Sequence, residues 1–310
     1  MKIVYMGTPD FAVAPLEALI DAGHEIIAVF TQPDRPKNRG MKMTFSPVKE
    51  CAVKHNIPVY QPETFREGSQ KELLKELAPE LIVVAAYGRL LPGYALRSAK
   101  HGCINIHASL LPKYRGSAPI QWSVINGEEK TGVTTMYMAR ELDTGDMIEQ
   151  AEYVIKDTDT AEDVHDRLAE LGAKLIISTI ELLEKGELVR TPQDHDKATL
   201  APMLKKEDAQ IDWNRDSRSI INLVRGTYPW PGAYTKCGSD TYKLFNVRKY
   251  DADKAYDPGT IICSCKEGIA VACGNGEAVI IEQIQAPGSR RMNAADYCRG
   301  HALPERFDIK

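Results

Sequence analysis

Asn105 and His107 stand two residues apart in Cys103-Ile104-Asn105-Ile106-His107, a run that alternates polar and apolar side chains before breaking into a loop. Residues two apart on a strand share a face, so Asn105 and His107 point one way while Ile104 and Ile106 point the other. The pair lies near the strand's C-terminal end, which in an open parallel α/β sheet is where ligands bind. A lone histidine in a strand is ordinarily a satisfied buried polar group. Three features argue for chemistry here: the Asn on the same face, the turn of Ser109, Leu110, Leu111 and Pro112 that follows, and an acidic loop, Glu141-Leu142-Asp143-Thr144-Gly145-Asp146. A carboxamide can donate to a developing oxyanion, and a histidine needs a carboxylate or carbonyl to fix its tautomer. Asn105, His107 and Asp143 form such a set.

Cys103 invites a second reading as a thiol nucleophile served by His107. Four residues of strand separate the two by about 13 Å, whereas a nucleophile and its base must lie roughly 3 Å apart. That reading fails. The seven cysteines are odd in number and scattered, with no paired C-x-x-C spacing, so neither a disulfide framework nor a zinc site is indicated. Cys263 and Cys265 can share a strand face, as reduced packing residues.

The elements that must position the set alternate in type. Strand-like runs at 2–6, 25–31, 80–86 and 102–107 are separated by helical patterns at 10–21, 46–55 and 67–77, which predicts a mostly parallel sheet covered by helices. Two further strands, 133–138 and 147–155, flank the acidic loop. A long helix then carries Val164, Leu168, Leu171, Leu175, Leu182 and Leu183 as an apolar stripe, with His165 off the stripe on a solvated face. From about 188 to 206 the pattern weakens around Pro192 and Pro202, as a linker would. Beyond it come a short helix at 217–225 and strand-like runs at 232–237, 241–249, 259–263, 268–273 and 277–284 with glycine-bearing turns, the look of a small β-barrel.

Met6-Gly7-Thr8-Pro9-Asp10 follows a strand and opens a helix, but the G-x-G-x-x-G spacing that lets a backbone approach a pyrophosphate is absent, so a nicotinamide cofactor is not expected. Residues 35–49 hold Arg35, Lys37, Arg39, Lys42 and Lys49 with no acid among them up to that lysine. A solvated loop is the ordinary explanation; beside a sheet's active edge, such a loop also suits phosphates. The 310-residue chain carries a formal charge of −4, which disfavours non-specific nucleic-acid binding. Any contact of the barrel with RNA must use patches such as Arg248-Lys249 or Arg290-Arg291. No apolar run approaches a membrane span and the N-terminus passes directly into a strand, so a cytoplasmic protein without a signal peptide is expected.

The run INIHASLLPKYRG together with ELDTGDM resembles the 10-formyltetrahydrofolate-dependent formyltransferases, in which Asn, His and Asp are the catalytic trio. MGTPDFAVAPLEAL, TQPDRPKNRG, ATLAPMLKKEDAQIDW and YPWPGAYT extend the resemblance nearly end to end and narrow it to members acting on initiator methionyl-tRNA. The resemblance implies an α/β, Rossmann-like formyltransferase domain over residues 1–189, a linker at 190–206, and a C-terminal, OB-like open β-barrel over 207–310 that contacts tRNA. It implies 10-formyltetrahydrofolate as formyl-donor substrate, no metal and no obligate protein partner. Tetrahydrofolate is then expected between Ser109, Leu110, Leu111 and Pro112 and the loop Tyr87, Gly88, Arg89 and Leu90, both at strand C-termini, where simple loop packing is the alternative. Arg39 and Lys42 are the expected tRNA contacts, although Lys37-Asn38 and Met41 depart from the family's usual pattern there. A formyltransferase acting on glycinamide ribonucleotide or an amino sugar, a formate-releasing hydrolase and a non-catalytic RNA-binding protein are the alternatives. The barrel and the basic loop weigh against the first, and the Asn-His-Asp set against the last.

Overall fold

The computed structural model describes residues 1–37, 42–65 and 68–310, excepting the side chains of residues 36, 37 and 42. Two compact units emerge, one from Met1–Pro119, Lys130–Val154 and His165–Pro202, the other from Ile120–Glu129, Ile155–Val164 and Met203–Lys310.

The first unit runs β1 (Lys2–Gly7), α1 (Val13–Asp21), β2 (Glu25–Phe30), β3 (Arg35–Lys37), β4 (Lys42–Thr44), α2 (Pro47–Lys54), β5 (Val59–Tyr60), α3 (Gly68–Leu77), β6 (Leu81–Ala85), α4 (Gly93–Leu96), β7 (Cys103–His107) and β8 (Arg115–Gly116). After α5 (Pro119–Ile125), which belongs almost wholly to the second unit, come β9 (Lys130–Tyr137), β10 (Met147–Val154), α6 (Ala161–Lys185) and β11 (Leu200–Ala201). The main sheet has the order β10-β9-β7-β6-β1-β2-β5. Strands β5, β2, β1, β6 and β7 are parallel, and β9 lies antiparallel to both β7 and β10. Val4, Tyr5 and Met6 of β1 and every residue of β6 are buried, the mark of parallel strands covered on both faces. Edge strand β10 instead alternates between partly buried and exposed positions in its second half.

Helix α6 covers the face of β7 opposite Asn105. A Cβ on Gly172 would stand 2.9 Å from Ile106 Cγ2, so only glycine lets the helix approach this closely. The buried row is therefore Leu168, Gly172, Ile176 and Ile180, at four-residue spacing. Leu171, Leu175, Leu182 and Leu183, expected on the stripe, are only partly buried. A count of large apolar residues cannot see a row whose central member must be small. His165 is half-buried as well, 5.7 Å edge-on from the Phe11 ring.

In the second unit, α7 (Ser217–Gly226) starts at Asp216, whose side chain accepts from Ser219 N. An antiparallel sheet follows, ordered β12 (Tyr234–Cys237), β13 (Asp240–Tyr250), β16 (Ala278–Gln285), β15 (Gly268–Ala272) and β14 (Ile261–Cys265), with β17 (Met292–Asn293) added to β16 before α8 (Ala294–Gly300). Among the described residues, the edges β12 and β14 are not paired with each other. The C-terminal tail spans the gap: Ile261 N donates to Glu305 O, and Asp308 N to Lys236 O. Phe307 of the tail stacks on Trp213 in the core at 5.8 Å. Arg225 of α7, buried, donates to the carbonyls of Lys156 and Asp159, which ties the 155–164 segment to this unit.

The 190–206 stretch, expected as a linker, is extensively bonded. Thr191 pairs with Met147, and β11 forms a parallel ladder with β8. These bonds carry the first unit as far as Pro202.

Candidate active site

Strand β7 is central, with Asn105 in register between Val84 of β6 and Met136 of β9. His107 is its last residue and is buried. Among the described residues nothing hydrogen-bonds the Asn105 side-chain amide, and Asn105 is only half-buried. Its donor is therefore free for a ligand. Cys103, one step back on the same face, donates its thiol to Ala95 O at 3.6 Å, and burial pushes that thiol up to about 12. A buried, protonated sulfur confirms that the thiol reading fails.

The Asp143 loop comes to His107. His107 Nδ1 lies 3.7 Å from Asp143 Oδ2, and both side chains are largely shielded from solvent. Gly116 N donates to that same Oδ2 at 2.9 Å. The other ring nitrogen, Nε2, is 3.0 Å from Tyr114 O. A carbonyl only accepts, so Nε2 carries a proton and Nδ1 is the nitrogen turned to the Asp143 carboxylate. Asp143 itself adopts φ 53°, a left-handed conformation that non-glycine residues take at a cost unless the surroundings impose it.

The loop after β7 is held rigidly. Ser109 Oγ donates to Lys113 O, Thr134 Oγ1 donates to Ser109 O, and Leu111 N donates to Thr134 Oγ1. Gln150 Nε2 donates to Leu111 O and Thr134 Oγ1, each at 2.9 Å. Ser109 and Leu111 are buried, and Leu110 and Pro112 partly so. The loop after β6 divides by depth: Tyr87 is buried against Phe65, Arg89 is intermediate, Gly88 is exposed and Leu90 projects with 75% of its surface open. Tyr87 Oη and Arg89 Nε are buried with no partner among the described residues, and burial raises the Tyr87 phenol to about 12.

Thr8 and Gln32, from the MGTPD and TQPD segments, join this edge. Thr8 Oγ1 and Gln32 Nε2 both donate to Tyr87 O, at 3.1 Å. They come from turns after β1 and β2, so the C-terminal ends of adjacent parallel strands are bound together by side chains.

Within the basic stretch β3 pairs antiparallel with β4. Arg39 lies outside the described residues, and of Lys42 only the backbone, at the start of β4, is described. Lys49 does not add a free charge: its Nζ is paired with Asp34 and donates to Gln61 Oε1 at 2.8 Å. In the second unit the two candidate patches differ. Arg248 is bound by both Glu267 and Glu282. Arg290 and Arg291 have no carboxylate partner among the described residues; Arg291 lies 4.2 Å over the Phe245 ring and donates to Gln283 Oε1. With Asn293 and Asp296 they line an open pocket of about 510 Å³.

Glu17 of α1, Cys51 within α2 and His55 just after it have ligand atoms within 4.8 Å of one another, the one such metal-capable group among the described residues. It contains no member of the Asn105–His107–Asp143 set. No helix of the described residues is long and apolar enough to cross a membrane.

A mostly parallel sheet with this set at its C-terminal edge, joined to an antiparallel-sheet unit, defines a formyl-transferring class. Residues 1–180 match the formyl transferase family and residues 203–302 its C-terminal domain, and the chain belongs to that family. It is 50% identical over 303 residues to the methionyl-tRNA formyltransferase of Alkaliphilus oremlandii, covering 98% of this chain and 97% of that one. It is 47% identical to that of Clostridioides difficile, covering 98% of each. Among solved structures, an N-formyltransferase from Helicobacter canadensis in complex with folinic acid and dTDP-3-aminofucose aligns with TM-score 0.69 at 19% identity, over 91% of this chain and 98% of that one. HypX from Aquifex aeolicus in complex with tetrahydrofolic acid aligns with TM-score 0.65 at 18% identity over 96% of this chain, which spans about half (46%) of HypX. These structural likenesses concern the fold.

Proposed function

We propose that the chain transfers the formyl group of 10-formyltetrahydrofolate to the α-amine of initiator methionyl-tRNA, giving N-formylmethionyl-tRNA and tetrahydrofolate. The observation that carries this reading is the Asn105 amide, without a partner among the described residues, on the strand that also brings His107 Nδ1 to 3.7 Å from Asp143. The amine nitrogen attacks the formyl carbon, and negative charge gathers on the formyl oxygen. Asn105 donates to that oxygen. As the bond from carbon to the folate nitrogen breaks, the amine's proton must reach the departing nitrogen; His107 assists that transfer, and the Asp143 carboxylate stabilises its protonated ring.

The folate is assigned to the loops of Tyr87, Gly88, Arg89 and Leu90 and of Ser109, Leu110, Leu111 and Pro112. Two buried polar atoms on the first of these loops, Tyr87 Oη and Arg89 Nε, have no partner among the described residues and support that assignment. Donor chemistry falls to the first unit. Contacts to tRNA phosphates fall to Arg39 and Lys42 of the basic stretch and to Arg290 and Arg291 of the second unit, the latter two without a carboxylate partner among the described residues. No metal takes part in this scheme, and the cytoplasm is where the acceptor is found.

Incubation with 10-formyltetrahydrofolate and, in separate arms, charged initiator tRNA, glycinamide ribonucleotide, an amino-sugar nucleotide or no acceptor tests the reading. Formyl transfer dependent on the charged tRNA supports it. Transfer to another amine, or formate release without an acceptor, overturns it.

A further inference from the structure

Gln193 is buried, 5% exposed, within a stretch whose composition reads as a connector. Its four hydrogen-bonding positions are all used. Oε1 accepts from Arg115 Nε at 3.0 Å and from Arg115 Nη2 at 2.7 Å, while Nε2 donates to Asp143 O at 2.9 Å and Gly145 O at 2.8 Å. Arginine can only donate and a carbonyl can only accept, so the amide has one chemically permitted orientation.

We infer that Gln193 is a positioning residue that holds the Asp143 carboxylate toward His107, an inference that rests on the proposed role of Asp143. The hydrogen bonds close a ring. Asp143 Oδ2 accepts from Gly116 N; Gly116 follows Arg115 in β8; Arg115 grips Gln193; and Gln193 returns to the backbone carbonyl of Asp143. Both ends of Asp143, its carboxylate and its own peptide, are thereby tied to β8. Such a clamp supplies what a residue at φ 53° needs to persist. The same stretch secures the other side of His107. Thr199 Oγ1 accepts from Tyr114 N, Tyr114 O accepts from His107 Nε2, and β11 pairs with β8. A Cβ on Gly116 would stand 2.5 Å from Ala201 O at φ +125°, so β8 can lie against β11 only with glycine there.

Glutamate at 193 separates the clamp from packing. Gln193→Glu keeps the acceptor for Arg115 and strengthens that contact by charge, but it cannot donate to the carbonyls of Asp143 and Gly145. Gln193→Met fills the same volume with neither function. The experiment measures steady-state formylation of charged initiator tRNA by the full chain, with Gln193→Glu, Gln193→Met, Asp143→Asn and the double variant Asp143→Asn/Gln193→Glu. Thermal unfolding of each establishes that it is folded. The clamp predicts that each folded Gln193 variant loses about 10- to 100-fold in kcat, the scale of a misplaced catalytic group, with both KM values within a few-fold. It also predicts that Gln193→Glu costs little more once Asp143 is already Asn. A near wild-type kcat for Gln193→Glu beside a slow Asp143→Asn overturns the inference alone. Equal costs of Gln193→Glu in both backgrounds overturn it too. A wild-type rate for Asp143→Asn sinks the role of Asp143 itself. If Gln193→Glu does not fold, the folded Gln193→Met decides by the same kcat criterion.

Discussion

Gly116 donates its backbone N–H to Asp143 Oδ2 at 2.9 Å, and that oxygen is the one 3.7 Å from His107 Nδ1. A backbone donor thus fixes the carboxylate whether or not the ring is protonated. Asp143→Asn retains an oxygen to accept from Gly116 while removing the charge and turning one acceptor oxygen into an NH2 donor. It is expected to lower kcat by about 10²- to 10⁴-fold, the range for lost acid–base assistance, at a stability cost of about 1 kcal/mol. Single-turnover formyl transfer and urea unfolding check the two halves; a folded variant with wild-type kcat refutes the role.

The Asn105 side-chain amide has no partner among the described residues, whereas both ring nitrogens of His107 face one, so the two should fail differently. Asn105→Ala is expected to cost about 100- to 1000-fold in kcat, as for an oxyanion donor, with folate binding retained. His107→Ala should be at least as severe. The double variant should be less than additive, because both groups act on one intermediate. Rates at saturating concentrations of both substrates decide this, and a near wild-type rate for Asn105→Ala would return the pair to a structural role.

Charge reversal tests whether the basic stretch serves tRNA rather than folate. Arg39→Glu with Lys42→Glu is expected to raise the KM for tRNA and to flatten its dependence on log salt, by about one unit of slope for each phosphate no longer neutralised. Folate affinity should barely change. Arg291→Glu should behave similarly, whereas Arg248→Glu should not, since Glu267 and Glu282 already offset Arg248. Normal formylation by the Arg39→Glu/Lys42→Glu variant at physiological salt would remove that assignment.

Cys103 provides a pH test. Burial raises its thiol to about 12, so the thiol form persists across the working range and thiolate appears only as pH nears that value. In native protein at pH 8, iodoacetamide followed by peptide mapping should leave Cys103 unmodified, while guanidinium-unfolded protein reacts. Labelling of native Cys103 with loss of activity would reopen the thiol reading.

Local patterning along the chain was enough to specify the alternation that makes β7, the shared face of Asn105 and His107, and the acidic loop bearing Asp143. Period-two and period-3.6 patterns belong to short stretches of chain, and strands β6, β7, β13 and β16 fall where such runs lie, while the apolar row of α6 and short elements such as α4, α5 and α8 do not follow them. Which loops meet was settled by packing between distant segments. Packing brought Asp143 to His107, gave His107 Nε2 to Tyr114, and turned 190–202 from an apparent connector into the stretch that grips the Asp143 loop through Gln193. It also neutralised Lys49 with Asp34 and Arg248 with two glutamates, leaving Arg290 and Arg291 without acidic partners among the described residues. One cause underlies these cases. A hydrogen bond or ion pair between residues far apart in the chain leaves no periodic trace, and whether a Gln is buried or an Arg is offset depends on what the fold packs against it.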